Sequence, residues 1–128
     1  VTTMYYEIYK SGSRPSLLGA DEKWAADPEG HERLIKRFSP HKQVTPDTPP
    51  TFIAHSTNDK TLVDNSLVYY KSLLDNKVSV EMHLFPTGGH RWGFSSEKIK
   101  GKGKDKLAYA RNEFYTSLER WLKGLKQL

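Results

Sequence analysis

The sequence contains no cysteine among its 128 residues. That excludes a disulfide scaffold, a thiolate zinc site, an iron–sulfur cluster and a cysteine nucleophile, and it leaves cytoplasm, periplasm and the secreted space all open. No apolar run approaches the ~18 residues that a membrane span needs, and the first residues do not read as a signal peptide. Neither a Gly-x-x-x-x-Gly-Lys-[Ser/Thr] phosphate loop nor a Gly-x-Gly-x-x-Gly dinucleotide fingerprint occurs, and no His-Glu-x-x-His spacing is present. No cofactor and no metal are therefore expected. Charge of neither sign dominates, with 20 basic against 15 acidic residues and a net charge of +5. Nucleic-acid binding would rest on Lys98-Ile-Lys-Gly-Lys-Gly-Lys-Asp-Lys106 alone. Glycines loosen that run and no aromatics interleave with it, so it reads as a solvated loop and no nucleic-acid partner is expected. What remains is 36% hydrophobic and 12% aromatic, enough for one soluble folded domain.

The order of local signals describes an α/β chain. A weak strand candidate near Met4 to Ile8 precedes the loop signal Lys10-Ser-Gly-Ser-Arg14-Pro15. Asp27-Pro28-Glu29 reads as a helix start, with Asp27 capping, Pro28 at N1 and Glu29 in the positive first turn. That helix should run to Lys36 or Arg37, bury Leu34, Ile35 and Phe38, and stop at Ser39-Pro40. Thr51 to His55 is short, apolar and bounded by Pro50 and a polar loop, the pattern of a buried strand. Asp64 or Asn65 can cap a helix running to Leu74, with Leu67, Tyr70 and Leu74 as its apolar stripe. Asp75-Asn76-Lys77 ends that helix. Val78 to Phe85 then alternates, with Val78, Val80, Met82 and Leu84 on one face. Strand, helix and strand in about 35 residues is a parallel β-α-β unit. A last helix from near Asp105 carries Leu107, Ala110, Phe114, Leu118, Trp121, Leu122 and Leu125 on one stripe and should cover a sheet face.

Chemistry is expected at the carboxyl ends of these strands, where open α/β sheets present functional loops. Asp59 follows the first strand and His90 follows the second through Gly88-Gly89, which lets the backbone turn back sharply. An Asp beside a His can hold the imidazole in the tautomer that a general base requires. Each residue also has a plainer reading, Asp59 as an Asx-turn and His90 as a solvated loop histidine. Their placement after consecutive parallel strands, Asp before His, favours the pair. Trp92 and Phe94 either wall an apolar pocket or anchor their loop to the core. His55 ends the first strand, where it packs under the Asp59 loop or lines the pocket. His83 lies opposite Met82 and Leu84 and reads as a half-buried structural histidine.

Phe52-Ile-Ala-His-Ser-Thr-Asn-Asp59, Val63-Asp-Asn-Ser66, Tyr69-Tyr70, Leu84-Phe-Pro-Thr-Gly-Gly-His90 and Trp121-Leu122 also carry a resemblance, as do Ser39-Pro40 and Thr45 to Pro50. The chain resembles the carboxyl-terminal part of the α/β-hydrolase superfamily, in the branch of small esterases and lipases that includes acetyl xylan esterase-like enzymes. The resemblance implies a partial α/β-hydrolase fold across residues 1–128, a three-layer αβα remnant with a short parallel sheet and flanking helices. Residues 5–42 would form a cap-like insertion and 51–128 the closing β-α-β-loop-α portion. It implies Asp59 as the triad acid, His90 as the base, and Trp92 and Phe94 beside the histidine.

One departure is severe. The family's serine sits in a Gly-x-Ser-x-Gly elbow, and no such motif occurs; Ser11-Gly12-Ser13 lacks the flanking pattern. The expectation is a serine-type carboxylic ester hydrolase, acting on acylated carbohydrate or small esters, to which this chain contributes acid and base but no nucleophile. Alone it should be inactive. A peptidase of the same superfamily and a non-enzymatic interaction domain are the alternatives. With so few strands, the isolated chain is also expected to self-associate, as a homodimer pairing sheet edges or exchanging an element.

Overall fold

A computed structural model describes residues 27–59, 63–89 and 108–125. In chain order these form helix α1 (Pro28–Phe38), a 3₁₀ turn (Pro40–Lys42), strand β1 (Thr51–Ser56), helix α2 (Val63–Asp75), strand β2 (Val80–Phe85) and helix α3 (Ala108–Leu125). The strand candidate near Met4 lies outside the described residues. Among the described residues the sheet has two strands, β1 beside β2. Their direction follows from two backbone bonds: Thr51 N–H donates to the Ser79 carbonyl and Thr57 N–H to the Phe85 carbonyl. Donor and acceptor advance together, so the strands are parallel. This is a small α/β fold, a short parallel sheet flanked by helices.

The described residues divide into two compact units, one of 27–51 with 64–80 and one of 52–59, 63, 81–89 and 108–125. In the first, α1 begins as its sequence dictates. Asp27 Oδ1 accepts the Gly30 N–H at 2.8 Å, Pro28 stands at the first position, and Glu29 faces the positive helix end. Ile35 is buried, with Leu34 and Phe38 packed against it. Ser39 leaves the helix in an extended conformation and Pro40 starts the 3₁₀ turn.

Helix α2 departs from its expected phase. It starts at Val63, so Asp64 and Asn65 lie inside its first turn rather than at the cap. Its buried residues are Asn65 and Leu73, whereas Leu67 and Leu74 are 41% and 48% exposed. The reason lies at its end. Lys77 takes a left-handed φ of 59°, its N–H donates to the Leu74 carbonyl, and Val78 N–H donates to the Leu73 carbonyl. That is a Schellman cap, a motif that accompanies an apolar contact between the residues at its two ends. Here those residues are Leu73 and Val78, both buried. One residue is about 100° of helix rotation, so burying Leu73 turns Leu74 outward. The same cap ends the turn at Lys77, and β2 begins two residues later than the alternation suggests, at Val80.

In the second unit α3 covers one face of the sheet. Phe85, Ala110 and Phe114 form a buried cluster, with Phe52, Ala54 and Leu118 packed on it. The Phe52 ring lies 5.6 Å from Trp121 and stacks on His83 at 5.2 Å. His83 is thus the half-buried structural histidine its position implies. The expected α3 stripe needs one correction. Leu122 is 48% exposed and Ser117 is buried in its place. Leu122 stands roughly 120° around the helix from Ala110, beyond the arc that Ala110, Phe114, Ser117 and Trp121 share. Leu107 lies outside the described residues.

Candidate functional site

The carboxyl ends of β1 and β2 converge on two adjoining loops, both in the second unit. β1 closes with Ser56, whose side chain is fully buried. The chain then turns at Thr57 and Asn58, and Asp59 N–H donates back to the Ser56 carbonyl at 3.1 Å. Asp59 is itself buried, with 6% exposure. Burying a carboxylate is costly without hydrogen-bond partners. One partner is His55, four residues back on β1, whose Nε2 lies 3.1 Å from Asp59 Oδ2. A carboxylate accepts, so His55 donates Nε2–H. The candidate pocket residue His55 therefore packs under the Asp59 loop, the plainer of its two sequence readings, and bonds the Asp59 carboxylate.

The second loop, Pro86 to Gly89, lies alongside. Thr57 N–H and Oγ1–H both donate to the Phe85 carbonyl, at 2.8 and 3.3 Å. Ser56 Oγ–H donates to the Thr87 carbonyl at 3.1 Å, and Gly89 N–H donates to Asn58 Oδ1 at 2.8 Å. Gly88 and Gly89 have φ of 138° and 65°, a region that favours glycine, and the chain bends just before them at Pro86 and Thr87. The two loops that carry the expected acid and the expected base are thus joined directly. His90, Trp92 and Phe94 lie outside the described residues, as does the Lys98–Lys106 run.

Asp59 lies just beyond β1, where the sequence puts it, whereas the loop-to-loop bonds of Ser56 and Asn58 were not anticipated. Their signal was the residue type: Ser and Asn just beyond a strand carry side chains that bond neighbouring backbone. A distinct charged group stands toward the other end of β2. Glu81 Oε1 accepts from His83 Nε2 at 2.6 Å and from Arg120. The His83 hydrogen bond, supported by Arg120, holds the Glu81 carboxyl below its ordinary range. Among the described residues, no group of three or more His, Asp or Glu side chains gathers as a metal site. No described helix is long and apolar enough to cross a membrane.

The chemistry available is that of a buried carboxylate held ready beside a glycine turn. Such a carboxylate can orient an imidazole and stabilise its protonated form. Ser56 is a poor nucleophile candidate, because its hydroxyl donates to a carbonyl rather than to a base. Compared with known proteins, residues 6–117 match the sequence profile of the prolyl oligopeptidase family. This chain belongs to the prolyl oligopeptidase family.

No curated protein matches this prolyl oligopeptidase family member. Among solved structures, it is similar to the acetyl ester-xyloside bifunctional hydrolase from Caldicellulosiruptor lactoaceticus. The TM-score is 0.68 and the sequence identity 29%, over 94% of this chain and 38% of that one. The chain thus spans little more than a third of that hydrolase. Peptidase-like and esterase-like relatives together establish homology to the α/β-hydrolase superfamily.

Proposed function

We propose that this chain carries the acid and base of a serine-type carboxylic ester hydrolase acting on acylated carbohydrate or other small esters. Asp59 serves as acid and His90 as base, and the nucleophile comes from outside these 128 residues. The observation that carries the reading is the buried Asp59 carboxylate at the end of β1, in a loop bonded directly to the Gly-Gly loop after β2. In this chemistry an activated serine attacks the ester carbonyl, the histidine moves the proton, and water releases the acyl group. Residues 5–42 would shape the substrate side, and Trp92 and Phe94 would wall the pocket beside His90. The ester class is supported by the likeness to the acetyl ester-xyloside hydrolase.

A peptidase is the second reading, favoured by the match to the prolyl oligopeptidase profile. Both readings use the same acid and base and differ in the acyl group accepted.

The isolated chain should show no turnover of an activated acetate ester, since no Gly-x-Ser-x-Gly elbow is present to supply nucleophile and oxyanion donors. A chimera supplies them. Residues 1–128 replace the matched 38% of the Caldicellulosiruptor hydrolase. In a chimera that folds, hydrolysis of acetylated xylo-oligosaccharide is expected. Asp59→Asn and His90→Ala should each lower kcat by about 10⁴-fold. Cleavage of a prolyl peptide anilide without ester turnover would favour the peptidase instead. Ester turnover indifferent to both substitutions would overturn the assignment of acid and base.

A further inference from the structure

We infer that Ser56 and Asn58 are positioning residues, whose side chains carry the pairing of β1 and β2 beyond the strand ends and hold the Thr87–Gly89 loop against the Asp59 loop. This inference rests on the reading of Asp59 and His90 as an acid–base pair.

The backbone ladder ends where Thr57 N–H meets the Phe85 carbonyl. Past that point the segment after β1 turns away, because Asp59 N–H folds back to the Ser56 carbonyl instead of crossing to the second strand. Side chains continue the crossing. Ser56 Oγ–H reaches the Thr87 carbonyl and Asn58 Oδ1 receives the Gly89 N–H. Phe85, Thr87 and Gly89 are alternate residues, so the second loop meets the first at every other residue. The Ser56 bond is built in, since a fully buried hydroxyl without a partner would cost the whole desolvation penalty.

Gly89 adds a second argument. A β-carbon placed on it would meet nothing within 4 Å, yet its φ is 65°. Glycine is there for the backbone conformation rather than for want of space. That conformation delivers the N–H to Asn58. Asn58 immediately precedes Asp59 and Gly89 immediately precedes His90. One hydrogen bond therefore ties together the two backbone points from which acid and base depart. Catalytic geometry is exacting, and a displacement of about 1 Å can cost a hundredfold in rate.

The test uses the isotope-labelled 128-residue chain and two NMR readouts. One is hydrogen exchange at the Gly89 amide, with the strand amides of Ile53 and Leu84 as internal controls of folding. The other is the change in the His90 pKa caused by Asp59→Asn. Asn58→Ala is expected to speed Gly89 exchange about tenfold while the strand amides hold. It should also shrink the Asp59→Asn effect on His90, which a merely stabilising side chain would not do. Asn58→Asp keeps the acceptor oxygen and should restore protection at Gly89. Should Asn58→Ala unfold the chain, Asn58→Gln moves the acceptor by one methylene and makes the same comparison. Unchanged Gly89 exchange in a folded variant, or an undiminished Asp59→Asn effect, would overturn the inference. If Asp59→Asn never moves the His90 pKa while Asn58→Ala still frees Gly89, the acid–base reading fails, and the positioning role falls with it.

Discussion

Truncating Phe114 to alanine tests how α3 is seated on the sheet, and through it how the site is supported. Phe114 is buried against Phe85, Ala110, Phe52, Ala54 and Leu118. Removing a buried phenyl ring costs about 3–5 kcal/mol, through lost burial and the cavity left behind. At about 2.1 cal/mol/K per residue, unfolding 128 residues carries an entropy of roughly 0.27 kcal/mol/K. A loss of about 4 kcal/mol thus lowers the melting temperature by about 15 °C. Leu122 is the control. It is 48% exposed on the same helix, and its truncation should stay within about 0.5 kcal/mol. Thermal unfolding of the two variants, followed by circular dichroism and calorimetry, separates these outcomes. If Leu122→Ala costs as much as Phe114→Ala, α3 presents a different face and the packing described here is wrong. The consequence reaches the site, because the Phe85 beneath Phe114 offers the carbonyl that holds Thr57.

Two further outcomes follow from the described surface and its charges. The Glu81 carboxyl is held below its ordinary value of 4.5 by the His83 hydrogen bond and by Arg120, so its stabilisation is present above 4.5 and disappears as pH falls through the lowered value. Urea midpoints of the chain and of Glu81→Gln should therefore differ at neutral pH and converge in acid; a gap of the same size throughout would refute the linkage. Leu67 and Leu74 are exposed, and among the described residues each strand has one neighbour, so the isolated chain is expected to associate reversibly. Sedimentation equilibrium that stays at 14.7 kDa up to high concentration would remove that expectation.

The sequence by itself determined the order of elements and the place of Asp59 at the end of β1. Asp27-Pro28 starts α1, Ser39-Pro40 stops it, and the apolar Thr51–His55 run becomes β1. These signals are local: a cap, a fixed proline φ and a side-chain period are settled within a few residues of chain. Asp59 was legible for the same reason, since its distance from the end of a strand is a count along the sequence. Which arc of α2 is buried was not legible in this way. Both Leu73 and Leu74 suit a helix interior, and only the left-handed Lys77 cap, with Val78 inward, selects Leu73. On α3 the packed arc is the one holding Ala110, Phe114 and Ser117, and Leu122, roughly 120° from Ala110, falls outside it. The contacts of Ser56 and Asn58 belonged to tertiary structure most completely, whereas the sequence already offered His55 a place under the Asp59 loop. His55 meets Asp59 because the chain turns back after β1, and Asn58 meets Gly89 because parallel register aligns residues 31 apart. A side-chain hydrogen bond requires its partner within about 3 Å, and for Ser56 and Asn58 only the paired strands supply one.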